Sequence, residues 1–373
     1  MPLKSRRFSL GLPLGEGIVR SVLFALSLCS LAWAGPDAVL VVREQVLEKG
    51  RLVEYTGTQR YPVQSEEQLK QLIRQLSRAP RPARFVFDPN KGWIGVQKLG
   101  YRFDAELVRQ AYQAALEAGK PTFVLPVVKE QPKPSVRDLR QRGIVELVGE
   151  GHTNFAGSPP SRIHNIRLAA ARFDRVQIPP GTVFSFNQTL GPVTRAAGYQ
   201  NAWVIRGNQT VWDVGGGVCQ VCTTLFRAAY FSGLPIVERH PHSYQVGYYK
   251  PTGLDATTAP PKDLRFKNDT PAYLLIQSSI QGQNLVFRFF GTKDREVTWR
   301  GPVILWRTPP LPTRYIYDAT LPAGYRRQID FAAEGALVRV YRTVRLQSGE
   351  VQQDVLESRY KAWGAVYLVG PRR

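Results

Sequence analysis

The chain has 373 residues, 43% of them hydrophobic, with 28 prolines, 32 glycines and a formal net charge of +21. That length predicts two or three domains, and that composition predicts real cores joined by loops and short strands. The excess of Lys and Arg favours an anionic partner through long-range attraction, with nucleic acid, an envelope polymer or a phospholipid surface as the classes. After residue 34 no stretch is long and apolar enough to span a bilayer, which excludes a helical membrane protein once the first segment is removed.

The first segment directs the choice among those partners. Lys4, Arg6 and Arg7 precede an apolar run over 21–31, and Ala32-Trp33-Ala34 offers a small-x-small cleavage site before Gly35. This is the layout of a secretory signal peptide over 1–34. Ser5-Arg6-Arg7 also partly matches a twin-arginine signal, with Sec export as the default. An exported protein, in the periplasm, cell wall or extracellular space, meets peptidoglycan or another anionic envelope polymer and not nucleic acid. Cleavage removes Cys29 and leaves Cys219 and Cys222, a C-x-x-C pair that an oxidising compartment can close as a disulfide.

In chain order, 38–55 reads as a pair of strands. The 65–76 stretch reads as a helix capped by Ser65, with Leu69, Leu72 and Leu76 on one face. Short strands are expected over 84–87 and 92–96. A helix is expected over 104–118 with Leu107, Ala111, Ala114 and Ala115 inward, then a strand over 123–128 and a linker over 131–135. This α+β unit, 36–145, holds no histidine or cysteine. All four histidines and both remaining cysteines lie between 152 and 242.

The next unit, 146–296, is predicted to hold a helix over 161–174, a strand over 182–186 and a hairpin turning at Gly207-Asn208. Strand-like segments follow over 236–238, 244–249, 272–277 and 285–290. From 297 to the end the chain reads as a β-rich module, with a meander over 336–346 and 351–357.

The centre of the chain is Gly215-Gly216-Gly217-Val218-Cys219-Gln220. Val218, Val221, Cys222, Leu225, Phe226 and Ala229 fall on one helical face, and Gly233 is a fitting stop. Cys219 therefore sits at a helix N-terminus, where free N–H groups and the dipole favour a thiolate. His242 and Asp255 follow in order.

These residues resemble the VanW family. The likeness is carried by Asn165-Ile166-Arg167-Leu168, Phe184-Ser185-Phe186-Asn187, Gly215 to Gln220 with Thr223-Thr224-Leu225, Arg239 with His242-Ser243, and Asp263 to Asn268. The N-terminal unit resembles the peptidoglycan-binding type of domain that often precedes VanW domains, and the C-terminal module resembles G5-type β modules. The resemblance implies a bacterial cell-envelope setting and a connection to peptidoglycan, with no established activity. Cys222 stands where the family usually has serine.

Four chemistries fit the central residues. In the first, Cys219 is a nucleophile, His242 its base with His240 as the alternate, and Asp255 the orienting carboxylate. Gln220 or the first helical N–H groups then form the oxyanion hole. The order helix-Cys, strand-His, Asp is similar to transglutaminase-like and papain-like enzymes. That predicts an α+β domain in which a cysteine helix packs on the sheet that bears His and Asp, acting as an amide hydrolase or acyl transferase on stem peptides. The second is a zinc site from Cys219, Cys222, His240 and His242. The third is thiol–disulfide exchange through Cys219 and Cys222. The fourth is binding of glycan or glycopeptide without catalysis, with Trp203, Trp212, Tyr244, Tyr248 and Tyr249 lining a groove. Asn187, a further polar candidate beside the oxyanion hole, joins Trp212, Tyr244 and Arg239 as the substrate-binding candidates. The first is the preferred reading, and no metal or cofactor is expected.

Overall fold

A computed structural model of the chain describes residues 35–206 and 209–372. The segment expected to be a signal peptide, Cys29 within it, and Gly207-Asn208, where a hairpin turn is expected, lie outside the described residues. The described chain is a multi-domain α+β protein with several separate sheets. Among the described residues no helix is long and apolar enough to cross a membrane.

The N-terminal unit is built on a long antiparallel hairpin, Asp37–Glu48 with Arg51–Tyr61, paired from Ala38↔Tyr61 to Glu48↔Arg51. Gly92–Lys98 and Arg81–Asp88 extend the sheet on one side, and Thr122–Val124 joins Asp37–Glu48 in parallel. Two helices cover it. Ser65 caps Glu66–Leu76 by accepting from the Gln68 N–H, and Asp104 caps Ala105–Glu117 through the Glu106 and Leu107 N–H groups. The second helix is rotated from the expected face. Val108, Tyr112 and Ala115 are buried, whereas Leu107 is 53% exposed. The bulky Tyr112 ring packs edge-on against Phe123, and this contact sets the rotation. The expected strand over 123–128 is two short ones, Thr122–Val124 and Val128–Glu130.

The 131–135 stretch is irregular but leads into an unforeseen helix, Val136–Gln141, started by a capping box between Ser135 and Asp138. Val136 and Leu139 pack with Leu47 and Phe85 of the first unit and with Leu275 and Phe290 of the second. Phe85 and Phe290 stack at 4.1 Å. The buried Gln277 amide accepts from the Phe85 N–H at 2.9 Å and donates to the Phe85 carbonyl at 2.8 Å. The two units therefore share a core and a two-point polar clamp.

The central unit is an antiparallel four-stranded sheet in the order Glu146–Asn154, Asn284–Gly291, Leu274–Gln281, Gln177–Ile178. The cysteine helix, Val218–Phe231, lies against it and is buried along most of its length. The approach is close because of Gly151. A Cβ there would stand 2.3 Å from the Thr224 carbonyl oxygen and 2.4 Å from the Ala228 nitrogen. The helix expected over 161–174 is Pro160–Ala171, with proline in its first turn. Beside it the hairpin Asn201–Arg206 with Gln209–Val214 pairs Trp203 with Trp212.

The expected strand over 244–249 is absent. The segment is irregular and ends in a single 3-10 turn, Gly247–Tyr249. Its aromatic side chains serve three separate partners: Tyr244 stacks on Trp363, Tyr249 on His242, and Tyr248 underlies Arg162. A flat strand cannot reach all three. His242 and Asp255 both lie on irregular chain, so the expected sheet bearing His and Asp is not what the cysteine helix packs on.

The C-terminal module has two three-stranded sheets. One is Arg295–Thr308, Gly335–Leu346 and Val351–Tyr360; the other is Arg314–Tyr317, Val366–Val369 and Arg326–Asp330. It is bound to the central unit by Arg342, which donates to the Tyr230 and Leu234 carbonyls at 2.8 and 3.1 Å.

Replacing Gln277 with alanine orphans the Phe85 N–H and carbonyl inside the shared core. The expected loss is about 3 kcal/mol in equilibrium unfolding. A loss below about 0.5 kcal/mol, as for an ordinary surface change, would show that the clamp contributes nothing.

Candidate functional site

The glycine turn delivers Cys219 into the first turn of its helix. Gly217 is the N-cap, at φ 111°. A side chain there would be strained, and its Cβ would lie 3.0 Å from both the Arg162 carbonyl oxygen and the Ile166 side chain. Glycine thus lets Pro160–Ala171 press against the start of the cysteine helix. The thiol, half-buried, lies 3.4 Å from the Thr257 hydroxyl and 3.7 Å from the Thr258 carbonyl oxygen.

His242 approaches from the loop after Ile236–Glu238. Its Nδ1 lies 2.6 Å from Asp255 Oδ2, and its backbone N–H donates to the same oxygen at 2.9 Å. With Nδ1 engaged by the carboxylate, Nε2 is left for the thiol. The imidazole is fixed from one face by Tyr249, stacked at 4.8 Å. The Asp255 loop is fixed in turn by the cysteine helix. Thr223 Oγ1 donates to the Ala256 carbonyl at 2.8 Å, and Arg227 donates to the carbonyls of Leu254, Tyr249 and His152 at 2.8, 2.7 and 3.0 Å.

Asp255 is buried and needs further donors. The Tyr360 hydroxyl, from the C-terminal module, donates to Oδ1, and Arg239 Nη2 donates to the same atom at 3.3 Å. Burial pushes the Asp255 carboxyl up, but the His242 hydrogen bond and charge, then Arg239, outweigh it and hold the group well below the usual carboxylate range. Burial pushes His242 down, yet the hydrogen bonds and negative charges of Asp255 and Cys219 raise it to about 9. Burial pushes the Cys219 thiol up, and the His242 hydrogen bond and charge, with the Thr257 hydroxyl, bring it down to about 7. Tyr360 is raised, by burial first and then by Asp255, so it stays a donor.

Cys219 and His242 open into a cleft of about 2060 Å³. Cys219, His242 and Asp255 come together there, whereas several other residues singled out from the sequence do something else. Gln220 is fully buried and both ends of its amide are engaged: Oε1 accepts from Arg162, and Nε2 donates to Thr153 Oγ1 and the Asn154 carbonyl. It has nothing left for an oxyanion. His240 turns to Glu238, 3.0 Å away, and does not stand in as the base. Cys222 faces the core, and burial pushes its thiol well up. Cys219 and Cys222 are free, so the possible disulfide between them is not formed, and among the described residues the four weighed as zinc ligands form no group that could hold a metal ion.

Arg239 supports Asp255 and bonds Ser358 Oγ at 2.8 Å, so it is buried behind the site and not presented to a substrate. Tyr244 is buried with its hydroxyl on Asp330, though it borders the cleft. Asn187 borders the cleft with its side chain tied to the Thr258 hydroxyl and the Lys262 carbonyl. Trp212 is 54% exposed on the hairpin and is not part of the cleft wall, which takes its partner Trp203 instead.

Tyr360, Arg162, Arg227 and Thr257 were not legible as site residues. Tyr360 and Arg162 are remote from Cys219 in sequence, and Arg227 and Thr257, though near Cys219 and Asp255 in the chain, acquire their roles only through packing.

Thiol alkylation of Cys219 should rise through a midpoint of about 7, below the free-thiol value of about 8.5. The thiolate is lost as pH falls through the lower value, and the imidazolium is lost as pH rises through about 9, so the ion pair fills the window between. Asp255→Asn removes the charge that keeps His242 protonated and should move the alkylation midpoint upward. A midpoint at the free-thiol value in the unsubstituted protein would rule out this coupling.

Comparison with known proteins places the central unit. Residues 161–290 match the family described as VanW like protein. The uncharacterized protein YoaR of Bacillus subtilis (strain 168) is 32% identical over 235 residues, covering 62% of this chain and 77% of that protein. The vancomycin B-type resistance protein VanW of Enterococcus faecalis (strain ATCC 700802 / V583) is 24% identical over 146 residues, 38% of this chain and 53% of that protein. The chain thus spans about half the length of the latter relative. A solved structure titled crystal structure of HP0197-G5 is 24% identical over 21% of this chain, all of that one, at a TM-score of 0.11. On the match of its cysteine-bearing unit and the extent shared with YoaR, this chain belongs to the VanW family.

Proposed function

We propose that the cleft binds the peptide of a peptidoglycan-type envelope polymer and that Cys219 attacks an amide carbonyl in it. The observation that carries this reading is the contact chain from a helix-N-terminal thiol through His242 to a buried, fully ionised Asp255. A thiolate near neutrality, a protonated imidazole and an orienting carboxylate are the minimum for acyl transfer.

The Cys219 thiolate forms a C–S bond to the amide carbon. As the C–N bond breaks, the His242 imidazolium gives its proton to the leaving nitrogen, leaving a thioester on Cys219. Water or an acceptor amine then attacks the thioester. Neutral His242 takes the proton of that nucleophile, and the C–S bond breaks to restore the ion pair. The oxyanion is assigned to the Cys219 N–H. The neighbouring Val218 and Gln220 N–H groups donate to Gly215 and Gly217, while a first-turn N–H has no intrahelical acceptor.

The envelope setting is drawn from the VanW resemblance, from the name of the Enterococcus relative and from the signal-peptide layout of 1–34, which together suggest export to the periplasm, cell wall or medium. A second reading, binding of glycan or glycopeptide without chemistry, is favoured by the size of the cleft and by Trp203, Tyr248, Lys250 and Lys262 on its wall.

Incubation with muropeptides separates the two. The catalytic reading expects an acyl adduct on Cys219 by mass spectrometry and released or exchanged product, abolished in Cys219→Ala. Asp255→Asn should slow turnover by roughly 10⁴-fold. If no adduct or product forms, and Cys219→Ala binds sacculi as well as the parent protein does, binding is the function.

A further inference from the structure

We infer that Arg162, beside the open end of the cysteine helix, is a subsite for a carboxylate carried by the peptide substrate. This rests on the nucleophile reading and names the substrate class: a peptide amide with a free carboxylate close to the bond attacked.

Arg162 borders the cleft yet is only 8% exposed. Its guanidinium donates to Ser158 Oγ at 2.6 Å and Gln220 Oε1 at 2.7 Å, and lies 4.3 Å over the Tyr248 ring. All three partners are neutral, and among the described residues Arg162 pairs with no carboxylate. Other buried arginines differ. Arg239, Arg295 and Arg342 each pair with aspartate. Arg227 has no aspartate partner but donates to three carbonyls. Holding a guanidinium out of water without a counter-ion is costly, and an anionic ligand removes the cost.

The geometry suits such a ligand. Gln220, which holds Arg162, follows Cys219 directly and is itself locked by Thr153 and Asn154. A Cβ at the N-cap Gly217 would lie 3.2 Å from Arg162 Cγ, so the arginine stem runs along the first helical turn. Two of the five guanidinium donors are identified above, and a planar fork offers paired N–H groups to a carboxylate. Lys250 and Lys262 add positive charge to the same cleft. Its acids are engaged elsewhere: Asp330 accepts from Trp363 at 2.8 Å, and Glu334 pairs with Arg307 at 3.2 Å.

The test is alkylation of Cys219 in the full chain by iodoacetate and by iodoacetamide, with the label mapped by mass spectrometry. The two reagents differ only in the carboxylate. The ratio of iodoacetate to iodoacetamide rates should exceed that of free cysteine by roughly tenfold, the lower end of what a focused cleft field supplies. Arg162→Gln should lower the ratio several-fold, leaving only the share that the His242 imidazolium supplies, and Arg162→Lys should restore part of the loss. A parent-protein ratio no higher than that of free cysteine overturns the inference without recourse to any variant. It is also overturned if Lys250→Gln with Lys262→Gln removes the preference while Arg162→Gln keeps it. Slow reaction with iodoacetamide itself near pH 7 would instead sink the nucleophile reading on which the inference rests.

Discussion

The arrangement of the cleft depends on one buried anion. Asp255 is almost fully withdrawn from water, and its carboxylate is kept ionised by donors from three places: the His242 ring and backbone, the Arg239 guanidinium and the Tyr360 hydroxyl. A carboxylate taken out of water is tolerated only when such partners surround it. Each partner is thereby fixed in place, so the ring orientation of His242 and the charge that acts on Cys219 both follow from how well Asp255 is satisfied.

That dependence gives the C-terminal module a role beyond its own fold. Tyr360 and Ser358 reach into the central unit, one to Asp255 and the other to Arg239 and the Gly253 carbonyl. Arg342 ties the module to the end of the cysteine helix. At the other side the N-terminal unit shares a core with the sheet beneath that helix. The site is therefore braced from both flanks, although its thiol, imidazole and carboxylate all come from the central unit.

Backbone closeness is the second constraint. Gly151 brings the sheet against the cysteine helix, and Gly217 brings the neighbouring helix against its first turn. Both approaches leave the helix too enclosed for polar side chains to stay unpaired. Gln220, Thr223, Thr224 and Arg227 are accordingly buried with hydrogen-bond partners. Side chains that look reactive in a list, Gln220 above all, become the framework that holds others.

Local pattern determined a good deal. The cysteine helix shows itself by apolar spacing and by the glycines before it, the cap at Ser65 by residue type, and the hairpin around Trp203 and Trp212 by the Gly207-Asn208 pair between its strands. The order Cys219, His242, Asp255 also marked three residues that the fold brings into contact. Periodicity failed where a segment answers to several distant partners, as at 244–249, and where one aromatic contact rotates a helix, as at Tyr112. Tertiary structure alone decided that His240 faces Glu238, that Cys222 lies in the core, that Arg239 stands behind Asp255, and that Tyr360 and Arg162 belong to the site. The physical reason is common to all of them. Secondary structure is set by neighbours a few residues away, whereas the partner of a buried charge is set by whatever the folded chain places beside it.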